Sequence, residues 1–186
     1  MRQALADPPT AGPVVGRRYV MGVDFGRYHD FTAVVVIDAS AAPVPAVVAL
    51  HRYNEVKGGV RGARFGPFAR RWRVGGILAE ANAMGEPNID ALRAEGLPIQ
   101  PFVTTARSKQ TLIESLASAI ESADVRLLAD DTLLGELEAY TYEMDRSGGH
   151  TRYTAPPGLH DDTVIALALA WQLVTTPRLV LAIAEV

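Results

Sequence analysis

Two short apolar runs, Tyr19–Asp24 (YVMGVD) and Phe31–Asp38 (FTAVVVID), lie close together with glycine, histidine and aspartate between them. β-Branched residues dominate the second run and turn formers fill the gap, so the two are expected to pair as a hairpin. Ala46–Glu55 follows the Pro43/Pro45 turn as a third strand, which makes an antiparallel meander. Beyond the meander the pattern alternates. Phe65–Arg73 reads as a short helix with Pro67 near its first turn, and Val74–Ala79 as a buried-type strand with Glu80 at its end. Asn88–Glu95 reads as a helix stopped by Gly96, and Ile99–Val103 as a strand. Ser108–Ser122 is an amphipathic helix with Leu112, Ile113, Leu116 and Ile120 on one face. Val125–Leu128 is a short strand, Thr132–Tyr142 a helix, and Arg146–Leu159 a loop with Gly148-Gly149 and Pro156-Pro157. His160-Asp161-Asp162 opens the last helix, which runs through Val174. This order describes an α/β domain, a mixed sheet of antiparallel meander plus parallel strands, flanked by helices.

A length of 186 residues suits one domain, and at that size roughly 70% of the unfolded surface is buried on folding. The expected divisions are a Pro-rich linker or disordered arm over 1–18, the globular domain over 19–176, and an apolar tail over 177–186 that could add a strand or helix. The longest apolar helix candidate, Ile165–Val174, falls well short of the roughly 20 residues of a membrane span, so no membrane partner is expected. Cysteine is absent, which excludes disulfides, thiolate metal sites and cysteine nucleophiles. Any metal must be held by oxygen or imidazole. The net charge of −3 argues against a globally basic nucleic-acid binder, although a local basic face would suffice.

The informative residues are acids. Asp24 and Glu80 each end an apolar run, and Asp161 and Asp162 stand at the start of an apolar helix. Each has a bland explanation when taken singly. Asp24 could be a turn residue, Glu80 a solvated strand end, and the Asp161/Asp162 pair a helix cap that complements the dipole. Taken together, two strand-end acids and one helix-start pair can converge at one edge of an α/β sheet. An all-oxygen set of this kind suits Mg²⁺ or Mn²⁺. Two such ions about 4 Å apart stabilise the attacking and leaving oxygens of a phosphodiester, and the protein then needs no nucleophile of its own.

The series GVDFG, an apolar strand ending in an acid, SKQTLIESL and PPGLHDDTVIALALAW resembles the nuclease domain of the large terminase subunit of tailed bacteriophages. The resemblance runs from about Tyr19 to Leu173, and the HDD helix after a Pro/Gly loop is its most specific piece. It implies a ribonuclease H-like fold akin to Holliday-junction resolvases, and two-metal cleavage of double-stranded DNA during genome packaging. The family's catalytic, metal-binding acids map onto Asp24, Glu80 and the Asp161/Asp162 pair. Many members carry a further aspartate where this chain has Ile165, which leaves open whether Asp161, Asp162 or both bind metal. The resemblance also implies an ATPase motor domain, a small terminase subunit and a portal protein as partners, and the cytoplasm of an infected bacterial host as the location. No Walker A pattern occurs here, so an excised C-terminal domain or an unusual stand-alone one is expected, and the Pro-rich start favours excision.

Basic residues near these acids are candidates for DNA contact. Arg27 and His29 follow Asp24 in its loop, beside Tyr28; Arg107 and Lys109 open a helix; Arg152 lies in the glycine-flanked loop with His150. Each has an ordinary alternative as a turn or surface residue, and the Arg70, Arg71, Arg73 cluster reads more simply as a solvated helix face. His160 is expected to help position the helix start. Two other functions compete. An actin-like nucleotide-binding domain shares GVDFG and a Thr-containing strand but normally needs two lobes. A non-catalytic DNA-docking or assembly module would keep the fold without a tight divalent site.

Overall fold

A computed structural model describes residues 12–26, 31–54, 62–81, 85–144, 151–154 and 160–176. Five strands form the main sheet, in the order β3-β2-β1-β4-β5. Strands β1 (Tyr19–Asp24), β2 (Phe31–Asp38) and β3 (Ala46–Asn54) make the expected antiparallel meander. Strand β4 (Ile77–Glu80) adds parallel to β1, and β5 (Ile99–Phe102) adds parallel to β4. Helices α1 (Gly62–Trp72) and α2 (Gly85–Ala94) supply the crossovers, because parallel neighbours cannot be joined by a tight turn. Gly96 closes α2 with a φ of 77°, a left-handed conformation that suits glycine at a helix C-terminus.

Side chains alternate between the two sheet faces, and the core accordingly splits in two. Tyr19, Met21, Val23, Val34, Val36, Ile77 and Ala79 face Phe65, Ala69, Trp72, Ile89 and Leu92 of α1 and α2. Val20, Ala33, Val35, Ile37 and Leu78 face α3 (Ala106–Glu121), α4 (Asp131–Ala139) and α5 (Asp162–Thr175). Helix α5 is the centre of that second layer and is buried from Asp162 through Trp171, as an apolar run with no polar face must be. It crosses β1 at very short range. A Cβ on Gly22 would overlap the carbonyl oxygen of Ala166 and the amide nitrogen of Ala170. Gly22, Ala166 and Ala170 therefore let two backbones touch, and the position of α5 on the sheet follows from that contact.

Several boundaries differ from the sequence reading for identifiable reasons. Helix α3 starts at Ala106 because Thr105 and Ser108 form a reciprocal capping box, each backbone amide donating to the other's hydroxyl at 2.8 and 3.1 Å. Ser108 thus sits inside the first turn, and Ala119 joins Leu112, Ile113 and Leu116 in the core while Ile120 is only partly buried. Helix α4 begins after its cap Asp130 and ends at Ala139, since Tyr140 turns extended with ψ at 111°. Pro67 lies within α1, which begins earlier than its apolar pattern indicates. The strand expected over Val125–Leu128 is reduced to isolated bridging at Arg126 and Leu127, where Ala46 bridges Arg126 in parallel and the amide of Val47 donates to the Arg126 carbonyl at 2.8 Å. The region expected to be loop contains β7 (Thr151–Thr154), paired antiparallel with β6 (Thr141–Met144) in a separate two-stranded sheet. Both strands are Thr- and Tyr-bearing and flank Gly148-Gly149, a hairpin signature outweighed in the sequence reading by the glycine and proline content. Residues 12–18 approach the main sheet, where Arg17 pairs with Asp38 at 2.8 Å. The rest of the expected 1–18 arm, the tail over 177–186, and Arg27, Tyr28, His29 and His150 lie outside the described residues. No helix among the described residues is long and apolar enough to cross a membrane.

Candidate active site

The parallel pairing of β1 and β4 runs Met21 to Ile77, Gly22 to Leu78 and Val23 to Ala79. One step further along each strand stand Asp24 and Glu80. Adjacent strands lie about 4.8 Å apart, so the two carboxyl groups are forced together. Glu80 acts on the Asp24 carboxyl through its charge and through a side-chain hydrogen bond, both of which favour the protonated form of Asp24. Both acids also follow the face of Val20 and Leu78, the side covered by α5. On α5, Asp162 lies one turn before Ala166 and two before Ala170, so it belongs to the stripe that touches β1. The Gly22 contact therefore places the start of α5 beside Asp24, and long-range packing brings all the predicted acids to one place.

The electrostatics reflect that crowding. Burial raises the Asp24 carboxyl well above the ordinary carboxylate range, and the charge and hydrogen bond of Glu80, then the charges of Asp162 and Asp161, raise it further. Asp162 is pushed up to about 6, first by burial and also by Glu136, against the hydrogen bond and charge of Arg52 and the nearby His160, which lower it. A site where carboxylates resist ionisation together is one that a cation stabilises.

The two helix-start acids behave differently from caps. Asp161 occupies the cap position of α5 but makes no side-chain cap hydrogen bond. Its Oδ2 accepts instead from Lys109 Nζ at 3.1 Å. Asp162 Oδ2 accepts from Arg52 Nη2 at 3.3 Å, and His160 Nδ1 lies 3.7 Å from the same oxygen. The capping is done from another element: Glu136 of α4 accepts from the Thr163 amide at 2.8 Å and from the Thr163 hydroxyl at 2.6 Å. Arg52 spans the two carboxylates, 3.3 Å from Glu136 and 3.3 Å from Asp162. Its guanidinium lies over the Phe31 ring at 3.8 Å, and His160 meets the same ring edge-on at 5.4 Å.

Asp24, Glu80, Asp161 and Asp162 are thus gathered, with Lys109 among them. Arg107 is exposed in the first turn of α3, where it lines a shallow cavity with Thr105, Thr111 and Gln172 near the other end of α5. Arg152 lies on β7, which packs against α3. Ile165 is buried in the core beneath α5 and offers no ligand. Among the described residues no three His, Asp or Glu side chains already converge at metal-ligand distance. The donor set is nonetheless all oxygen and negatively charged, which fits a hard divalent cation. The sequence reading missed Arg52 and Glu136. Two signals pointed to them. Glu136 stands three residues after Leu133 on the buried face of α4, and Arg52 continues the α5-facing positions of β3 beyond Leu50.

A family model described as the terminase RNaseH-like domain matches residues 21–172. The chain belongs to the terminase RNaseH-like domain family. The large terminase subunit of Thermus virus P23-45 is 30% identical over 154 residues, covering 82% of this chain and 31% of the relative. The chain thus spans about a third of the length of the curated relatives it matches. The large terminase nuclease of thermophilic phage G20c superposes with a TM-score of 0.79 at 26% identity, over 92% of this chain and 94% of that one. A second structure of that nuclease, with bound magnesium, gives a TM-score of 0.80 at 25% identity over 92% and 93% of the two chains. The family resemblance and the ribonuclease H-like fold expected from the sequence are therefore correct, and a terminase RNaseH-like domain leaves no place for the actin-like alternative.

Proposed function

We propose that this terminase domain is a divalent-cation-dependent endonuclease that cuts double-stranded DNA during phage genome packaging. The observation that carries the reading is the meeting of the Asp24 and Glu80 carboxyls on adjacent parallel strand ends, beside the Asp161/Asp162 start of α5. Relatives that are large terminase subunits, and a similar nuclease with bound magnesium, support it.

In this reading Asp24, Glu80 and at least one of Asp161 and Asp162 hold two ions, Mg²⁺ or Mn²⁺. Bound ions would neutralise charge developing on the phosphodiester and lower the pKa of a water. The chain's own residues do the rest. The sheet fixes Asp24 and Glu80, so little reorganisation accompanies the reaction. Asp24 is partly buried, which limits screening by water and strengthens its attraction for a cation. Lys109, at the rim and only partly buried, can leave Asp161 to meet a backbone phosphate. Arg107 and Arg152, with Arg27 and His29, are further proposed DNA contacts. For the full-length protein we propose an ATPase motor domain preceding this segment, a small terminase subunit and a portal protein as partners, acting in the cytoplasm of the infected host.

A plasmid-cleavage assay tests the function. Nicking and linearisation are expected with Mg²⁺ or Mn²⁺ and should stop in excess EDTA. Cutting that persists in chelator, or no cutting with either ion while DNA is still bound, contradicts the proposal; the second result is what a docking module would give.

A further inference from the structure

The contact between α4 and the start of α5 has a feature that simple capping leaves unexplained. Glu136 is buried, with 8% of its surface exposed, and one of its oxygens already receives both Thr163 bonds. Its other oxygen, Oε1, has no hydrogen bond among the described residues, yet lies 3.3 Å from Arg52 Nη2. Arg52 Nε is likewise buried without a hydrogen bond among the described residues. The same Nη2 donates to Asp162 at 3.3 Å. One guanidinium nitrogen is therefore divided between two carboxylates, and neither holds it in the short bidentate geometry that strong arginine pairs adopt.

We propose that Glu136 is a positioning residue for Asp162, acting both as the external cap of α5 and as a competitor for Arg52 that leaves Asp162 available to a cation. This rests on the reading of Asp162 as part of a divalent-cation site. Two consequences follow from the geometry. The Thr163 bonds fix the first turn of α5, so the carboxylates of Asp161 and Asp162 start from a set place on the sheet edge. The charge of Glu136 also draws on Arg52. Without that charge Arg52 would pair with Asp162 alone, in a site with little water to screen it, and any cation would first have to break the pair. Sharing one arginine between two acids keeps Asp162 oriented and only weakly held. Phe31 supports this by stacking on the guanidinium, 3.8 Å from its ring centroid, while His160 meets the same ring edge-on.

Charge and geometry are separable by substitution. Glu136→Gln keeps an oxygen for Thr163 and removes the negative charge. Glu136→Asp keeps the charge but withdraws it from Thr163. Arg52→Met in the Glu136→Gln background removes the competing cation. The readouts are Mn²⁺ affinity by titration calorimetry and hydrogen exchange at the Thr163 amide in metal-free protein. Glu136→Gln is expected to retain Thr163 protection and lose about 10- to 100-fold in Mn²⁺ affinity, the usual cost of losing a partner behind a ligand. The double variant should recover most of that loss, and Glu136→Asp should lose both Thr163 protection and affinity. Wild-type Mn²⁺ affinity in both Glu136→Gln and Glu136→Asp overturns the proposal, as does a double variant no better than Glu136→Gln. If Asp162→Asn instead binds Mn²⁺ as tightly as wild type, the metal reading of Asp162 fails, and the role of Glu136 fails with it.

Discussion

The two halves of the acidic site are built on opposite principles. Asp24 and Glu80 are held by a parallel ladder, where strand spacing alone sets their separation and one carboxyl rests against the other. Asp161 and Asp162 are held by a helix start, and each rests on a basic side chain from a distant element, Lys109 for the first and Arg52 for the second. The charges that act most strongly on Asp24 are all negative; those on Asp162 have both signs. The sheet half is stiff and electrostatically strained, and the helix half is adjustable and nearly neutralised. Such a division lets a site hold its charge at one fixed point and tune the rest through replaceable ion pairs.

The largest expected effect is on the stiff half. Asp24→Ala and Glu80→Ala should each reduce cleavage to background while the melting temperature holds or rises, because removing one carboxyl relieves the crowding of the other. Cleavage and thermal melts on the same preparations check this; near-normal cutting by either variant would remove its residue from the site. The helix half should divide. Asp161→Asn frees Lys109, whereas Asp162→Asn leaves Arg52 with Glu136 alone, so the two variants should differ in Mn²⁺ affinity as well as in cleavage. Loss of a mere cap would cost about 1 kcal/mol of stability and spare activity. That pattern in both variants, measured by calorimetry and melting, would restore capping as the explanation.

The joint between the halves is next. Gly22→Ala puts a methyl group against the backbone of α5, where no side chain can rotate away. A destabilisation of about 3 kcal/mol is expected, at the upper end of overpacking costs, together with lost cleavage because α5 carries Asp161 and Asp162. Denaturant melts measure it, and an unchanged midpoint would show that α5 can slide.

The smallest effect is on pH dependence. The folded protein holds Asp162 at about 6 against an ordinary 3.8, so it binds more protons than the unfolded chain between those values. The associated stability is fully present below about pH 4 and is lost as pH rises through 6. Asp24, raised further by burial and by Glu80, acts in the same direction. In EDTA, the stability of wild type relative to Asp162→Asn should therefore fall from pH 4 to pH 7, and the melting shift from Mn²⁺ should be larger at pH 7.5 than at pH 5. A relative stability that rises across this window would contradict the assigned direction.

What could be read in the sequence divides along the same line. The meander, the strand-end acids and the buried last helix follow from local patterns: alternating β-branched runs, an acid after each apolar strand, an uninterrupted apolar helix. The residues that make the helix half work are set by long-range pairing. Arg52 meets Asp162 across 110 positions and Glu136 meets Thr163 across 27, and no local pattern encodes either contact. The same holds for Gly22, whose missing side chain reads as turn or strand filler until α5 is seen against it. Strands β6 and β7 were hidden for a different reason: each is four residues long, too short for alternation to outweigh the glycines and prolines around them.

The central claim is that the two halves close on the same divalent cations. Anomalous diffraction from crystals grown with Mn²⁺ tests it directly. The account predicts manganese bound jointly by Asp24 and by Asp161 or Asp162, with Glu80 beside it and the Lys109 or Arg52 contact to the liganding acid lengthened. Manganese found only away from Asp24, or none at saturating concentration with both ion pairs intact, would contradict it.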